Sequence, residues 1–357
     1  MKVGLVLGAG GVMGGAWLTG ALEAIARETA WDPGGADRIV GTSAGAMIGG
    51  LVAAGLPPWF MVAHSAGERF SGLTGVDGRP AGEADRSAGA VFRPERRLPS
   101  PLPGSLGLAL RTLRAPHRHT PAAVLSGWLP RGLIATEPLR DIVRRLVPGG
   151  WVDRPGVWIV ACDYATGRRV AFGRPGAPEA DLADAVAASC AIPGFYAPVA
   201  IGGREYVDGG MYSPSNLDLL RDEELDLVIC LNPTSTRDEL PPGALGQRLA
   251  ATLRGASGRR LGREARRVRE ATGAQVVLIQ PTREDLEVMG PNLLAGRRRH
   301  ECIETARRTV RAQLRRPELA RALAGLPPGA PHKVARPDGP PSNWPRVAPV
   351  RPPREAA

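Results

Sequence analysis

One serine in this chain stands in a setting suited to nucleophilic chemistry. In Gly41-Thr42-Ser43-Ala44-Gly45, the preceding Arg38-Ile39-Val40 is β-branched and reads as a strand end, while Ala44 to Ala54 is small and apolar and reads as a buried helix. A serine on that junction sits on a sharp strand-to-helix turn above a helix N-terminus, which makes Ser43 a candidate nucleophile. Glycines at 41 and 45 suit the role, because side chains there would crowd the neighbouring strand and the incoming substrate. A plain buried turn is the competing reading of the same five residues.

A serine nucleophile needs a base and a site for the oxyanion it creates. Val199-Ala200-Ile201 and Glu205-Tyr206-Val207 read as a hairpin around Gly202-Gly203, and its second strand delivers Asp208-Gly209-Gly210. A carboxylate at a strand end, followed by glycines that admit backbone and substrate, is where a catalytic aspartate would stand; an ordinary Asp-Gly turn reads the same way locally. Asn216 is placed to steady that loop through its side chain. At the N-terminus the strand Val3–Leu7 runs into Gly8-Ala9-Gly10-Gly11-Val12-Met13-Gly14, and then Trp17, Leu18, Ala21, Leu22 and Ile25 recur at helical spacing. A dinucleotide fingerprint would want glycine where Met13 stands and an acid where Val40-Gly41 ends the second strand. A phosphate-binding loop would want a Gly-Lys pair that is absent. A nest of backbone N–H groups at a helix start, shaped for an oxyanion, requires nothing the sequence lacks.

Other chemistry finds less support. His64 recurs at helical spacing with Phe60 and Met61 and reads as a core histidine ahead of a base. His300 follows Asp208 in the chain order that a Ser-Asp-His triad allows, but Arg297-Arg298-Arg299-His300 reads as an exposed helix face. His117 and His119 have no acidic or cysteine partners, and the four cysteines lack ligand spacing, so no metal is expected. Cys162, Cys190 and Cys230 lie in apolar runs and read as core residues of a reducing compartment. The net charge of +11 is carried almost wholly by arginine, which favours contact with anionic surfaces. Around Glu264, Arg267 and Glu270 the charges alternate as on a solvated helix face, and no aromatics interleave for base stacking, so nucleic acid is not expected.

The elements that must position these residues run the length of the chain. Lys2 to Glu23 holds no charge between its ends, yet its glycines argue for strand and loop over a membrane span or signal peptide. From 68 to 131 the pattern breaks. Leu106, Ala109, Leu110 and Leu113 form an apolar stripe beside Arg111 and Arg114, and Trp128 follows. This insertion reads either as a cap whose stripe rests on a lipid interface or as a solvated loop. Beyond it come a helix over Thr136–Leu146 capped by Thr136, a hairpin of Val157–Cys162 with Arg169–Phe172, and a helix over Leu182–Cys190. Strands Leu225–Leu231 and Gln275–Gln280 flank an arginine-rich helix over Gly246–Thr272, and a helix over Asn292–Arg316 closes the fold. The expected organisation is a domain over 1–325 containing the 68–131 insertion, and a proline-rich, disordered tail over 326–357.

The glycine loop, the Gly-x-Ser-x-Gly turn and Asp-Gly-Gly after a hairpin, in that order, resemble the patatin-like phospholipase family, whose members hydrolyse acyl esters of lipids. Ala188-Ser189-Cys190-Ala191-Ile192-Pro193, Phe195 to Val199, and Met289-Gly290-Pro291-Asn292 extend the match over about residues 3–316, apart from 68–131. The resemblance implies an α/β fold: a central, mostly parallel sheet with helices on both faces, a three-layer sandwich with an inserted cap. It implies Ser43 as nucleophile and Asp208 as its partner in a dyad without histidine. It further implies oxyanion donors from the N–H groups of Gly10, Gly11 and Val12, and no cofactor. The family usually carries Arg or Lys where this chain has Met13. Because aspartate is a weak base, with a reference pKa of ~3.9, esters and thioesters fit this chemistry better than amides. The expected substrate is a lipid or other acyl ester, met in the cytoplasm or at an anionic membrane surface. An esterase or thioesterase of non-phospholipid substrates, and a lipid-surface binding protein without turnover, are the alternatives.

Overall fold

The computed structural model describes residues 1–68, 92–95, 102–115, 120–238, 245–340 and 343–345. The chain runs β1 (Val3–Leu7), α1 (Gly11–Thr29), β2 (Arg38–Thr42), α2 (Ala44–Ala53) and α3 (Pro58–Ser65), then α4 (Leu106–Arg114), α5 (Pro121–Trp128) and α6 (Glu137–Arg144). It continues through β3 (Val157–Asp163), β4 (Arg169–Phe172), α7 (Leu182–Cys190), β5 (Val199–Ile201), β6 (Arg204–Asp208), β7 (Leu227–Leu231) and α8 (Leu245–Thr272). The last elements are β8 (Gln275–Ile279), α9 (Arg283–Met289), α10 (Arg299–Leu314), α11 (Pro317–Leu323) and α12 (Pro331–Val334).

β1 is apolar throughout because it is buried throughout: it pairs in parallel with β2 on one edge and β7 on the other. The hydrogen-bonded order is β5-β6-β3-β2-β1-β7-β8, with β4 also paired to β3. β1, β2, β3, β7 and β8 are parallel, and β4, β5 and β6 join antiparallel. Strand alternation splits the core into two. Leu5, Leu7, Ile39, Ile159, Ile229 and Ile279 pack beneath α1, α2, α7 and α10. Val6, Val40, Val160, Val228 and Val276 pack against Leu261, Ala265 and Val268 of α8. Helices therefore cover both faces, and the fold is the three-layer α/β sandwich that the resemblance implied. Among the described residues no single helix is long and apolar enough to cross a membrane.

Four expectations need revision. Residues 326–340 and 343–345 of the proline-rich tail are docked, not disordered. The Trp344 indole meets Trp59 edge-on at 5.3 Å, Trp59 Nε1 donates to the His332 carbonyl at 2.9 Å, and the Lys333 ammonium bonds the Gly55 carbonyl. A few well-anchored side chains suffice to order a segment whose average composition is that of a linker. The closing helix starts at Arg299, because 292–298 forms turns that cap α1. Thr136 precedes its helix but does not cap it through its side chain; its hydroxyl accepts from Arg140 Nη1 instead. In the insertion, α4 and α5 pack as a helical hairpin, with Leu108 and Ala123 set against Cys162, Tyr164, Val207 and Met211, so these parts are not a solvated loop. His117, His119 and most of 69–101 lie outside the described residues.

Candidate active site

Sheet register explains how residues far apart in sequence meet. β2 ends with Thr42 opposite Val160 of β3, and β6 ends with Asp208 opposite Ala161, so the two chain segments leave the sheet at consecutive positions along β3. Ser43 turns the chain with φ 54 and ψ −119, a left-handed conformation that an L-residue adopts only when its surroundings enforce it. Those surroundings are visible. The Ser43 N–H donates to Ser189 Oγ at 2.8 Å, Ser189 Oγ donates to the Val160 carbonyl at 2.5 Å, and the Cys190 thiol donates to the Ser43 carbonyl at 3.2 Å. Ala46 N–H closes the turn on the same carbonyl at 2.8 Å. Gly45 is obligatory for packing, since a Cβ there would stand 2.0 Å from the Leu7 carbonyl oxygen.

The Ser43 side chain lies close enough to the Asp208 carboxylate to favour its charged form. Gly210 N–H donates to Asp208 Oδ1 at 2.7 Å, and Asp208 N–H is held by the Ala191 carbonyl at 2.9 Å. Asp208 is only 6% exposed, and burial pushes its pKa up to about 6, while the Ser43 side chain and the Gly210 N–H pull it the other way. Desolvation wins. The result is a carboxylate more basic than a free aspartate yet largely ionised at neutral pH.

Beside this pair lies the start of α1. A Cβ at Gly15 would be 3.8 Å from Ala44 Cβ, and one at Gly210 would be 3.5 Å from Ala9 Cβ, so the glycine loop touches both the serine turn and the aspartate loop. Its donors divide cleanly. Gly8 N–H is bonded to Leu231, Ala9 N–H to Pro214 at 2.8 Å, and Met13 N–H to Leu293 at 2.9 Å. The N–H groups of Gly10, Gly11 and Val12 make no such bond among the described residues, and the helix dipole adds partial positive charge there. The Met13 side chain is 1% exposed in the core, so a basic residue at this position would be buried away from the loop. A nearby cation does exist: Arg254 of α8, 8% exposed and with its pKa lowered by burial, donates to the carbonyl of Pro233, whose ring packs on Gly10 and Gly14.

Histidine takes no part in what is described. Asp208 is bonded by the Gly210 N–H and approached by Ser43, whereas His300 lies exposed on the first turn of α10 and His64 is half-buried on α3. All four cysteines are free and buried, and no cluster of three metal-ligating side chains occurs among the described residues.

A family model described as patatin-like phospholipase matches residues 5–221, more than half of the chain. The chain belongs to that family. Patatin-like phospholipases are lipid acyl hydrolases, and the matched stretch contains Ser43, Asp208 and the glycine loop. It ends before β7, α8, β8 and the turn that presents Leu293. Two groups around Ser43 and the glycine loop of this patatin-like chain escaped sequence inspection, one inside the matched stretch and one beyond it. Ser189 holds the Ser43 turn and was noticed only as part of a matching stretch. The Leu293 carbonyl, which occupies Met13 N–H, left no signal, because any residue type supplies a backbone oxygen.

Proposed function

We propose that this chain hydrolyses carboxylic esters of lipids through Ser43 and Asp208, with Gly10, Gly11 and Val12 as the oxyanion hole. The observation that carries the reading is the approach of the Ser43 side chain to a buried carboxylate, beside N–H groups at a helix start that make no backbone bond among the described residues. Asp208 takes the Ser43 proton as Oγ attacks the ester carbonyl, and the resulting oxyanion is stabilised by the N–H nest. Collapse expels the alcohol, which takes the proton from Asp208, and leaves an acyl-serine. Water, deprotonated by Asp208, then attacks the acyl-serine, and Asp208 returns the proton to the departing Ser43 Oγ as the fatty acid is released. A fluorophosphonate probe is expected to label the wild type at Ser43 and to leave Ser43→Ala unlabelled. Equal labelling of both would remove the proposal.

The reading includes the surface from which the lipid comes. Leu106, Leu110 and Leu113 of α4 share one exposed stripe, at 59%, 51% and 62% exposure, continued by Leu125 and Trp128 of α5. Leu108, Ala109 and Thr112 fill the opposite, buried face, and Arg111 and Arg114 are exposed at the margin of the stripe. Thr120 Oγ1 ties the hairpin to the Met211 carbonyl at 2.5 Å, three residues beyond Asp208. An apolar stripe edged with arginine, on a chain of net charge +11, fits an anionic lipid surface. Each leucine moved from water into lipid contributes about 1–2 kcal/mol, so replacing all three by serine is expected to weaken binding by about 10²-fold or more. The triple variant should stop floating with phosphatidylglycerol vesicles while its turnover of a soluble short-chain ester stays unchanged. Undiminished flotation would count against the membrane contact alone.

A further inference from the structure

The three parts of the site are joined by one loop, and that loop is held by a carboxylate outside the family match. Residues 213–217 touch every part. The Pro214 carbonyl accepts from Ala9 N–H at 2.8 Å, next to the oxyanion donors. Asn216 Nδ2 donates to Thr42 Oγ1 at 3.0 Å, next to the nucleophile, and to the Gly209 carbonyl at 3.4 Å, next to the aspartate. Ser213 N–H donates to the same Gly209 carbonyl at 3.2 Å. Asn216 does this from a left-handed backbone, φ 52, which asparagine adopts more readily than other residues with a side chain.

The carboxylate that holds the loop is that of Glu264 of α8, which is 3% exposed. Its Oε1 accepts from Ser213 Oγ at 2.7 Å and from Arg260 Nε at 3.0 Å; its Oε2 accepts from Ser215 Oγ at 2.5 Å and from Leu217 N–H at 3.2 Å. The four donors fall two to each oxygen, and the three from the loop flank Asn216 on both sides. Arg260 supplies the opposite charge and also stacks at 5.1 Å on the ring of Tyr212, which adjoins the loop. A buried carboxylate with four donors is a rigid fixture, since every lone-pair direction is used and the charge is neutralised locally.

We infer that Glu264 is a positioning residue of the active site: through Ser213, Ser215 and Leu217 it fixes the loop that holds Ser43, Asp208 and the oxyanion donors in register. The inference rests on the proposed roles of Ser43 and Asp208. Glutamine cannot replace the carboxylate. Its NH₂ group would face either Arg260 or Leu217 N–H, and neither donor can rotate to become an acceptor, whereas the serine hydroxyls can.

The test is Glu264→Gln, with turnover of a soluble ester normalised to the sites that a phosphonate titrates, so that misfolded protein does not count. The kcat per titrated site should fall about 10²-fold with KM little changed, because misplacement at the reacting atoms affects the transition state more than ground-state binding. Glu264→Gln combined with Asn216→Ala should lose no more than the worse single variant, since both act through one loop. Ser215→Ala removes one donor and leaves the charge pair intact, and its kcat should fall about 10-fold. It decides the matter if Glu264→Gln does not fold. Wild-type kcat per titrated site in either Glu264→Gln or Ser215→Ala, or losses that multiply in the double variant, would overturn the inference. Full turnover in Ser43→Ala would instead overturn the reading on which it rests.

Discussion

Replacing Ser43 with alanine is expected to lower ester turnover by about 10⁴-fold or more, to the level that binding and the oxyanion donors sustain without a nucleophile. Steady-state hydrolysis of a chromogenic ester measures it; residual turnover within tenfold of wild type would mean that the reaction proceeds elsewhere. The same position offers a second readout. At φ 54 and ψ −119 any side chain is strained, and glycine alone is relaxed. Strain of this kind costs about 1–3 kcal/mol, so Ser43→Gly is expected to melt at a higher temperature than Ser43→Ala. That order reverses the usual one for these two residues. Both variants lose the hydroxyl, so the comparison isolates the backbone.

The second large effect is expected at Asp208. Asparagine preserves the shape, with Oδ1 accepting from Gly210 N–H and the amide facing Ser43 Oγ, but it cannot take a proton, and turnover should fall about 10³-fold or more. In the wild type, activity should rise with pH through a group of pKa about 6, above the ordinary aspartate value of 3.8. Stability should move the opposite way. Below about pH 4 the carboxyl is protonated in both folded and unfolded chains, and wild type and Asp208→Asn should unfold alike. Between about 4 and about 6 the folded chain keeps a proton that the unfolded chain releases, so wild-type stability declines as pH rises. Above about pH 6 the penalty is complete, and Asp208→Asn should be the more stable protein by up to about 3 kcal/mol. Thermal melts at pH 4 and pH 8 test the sign; a variant less stable than wild type at pH 8 would contradict burial as the cause of the raised pKa.

Elements whose burial is uniform were legible in the sequence with their boundaries. Val3–Leu7 is an unbroken apolar run ended by Gly8, and Leu182–Cys190 is stopped at Ile192-Pro193-Gly194, so each strand or helix coincides with its pattern. Boundaries drifted where a distant partner decides them. β3 extends to Asp163 because Thr166 and Arg204 satisfy that carboxylate at 2.9 and 2.8 Å. The turns at 292–298 displace the expected helix because they are needed against the start of α1. Ser43 and Asp208 stood out because glycines punctuate them. Of the residues that hold the pair, Asn216 stood out as a support of the aspartate loop, but its bond to Thr42 across 174 positions did not, nor did the reach of Ser189 to Ser43 across 146. Local pattern contains nothing about such bonds. Glu264 reads as part of a solvated face because it alternates in sign with Arg267 and Glu270, yet it is the inward member of that group.

The strand that begins the chain is flanked on both edges, and this sets a limit on dissection. A fragment trimmed at residue 221 would keep Ser43 and Asp208 but strip β7 from the far edge of β1, baring the backbone donors and acceptors from Val3 to Leu7 in the centre of what had been a continuous sheet. Such a raw edge invites pairing with other molecules, so the fragment should precipitate on expression, and transplanting this region into another scaffold would require bringing the distal strands with it.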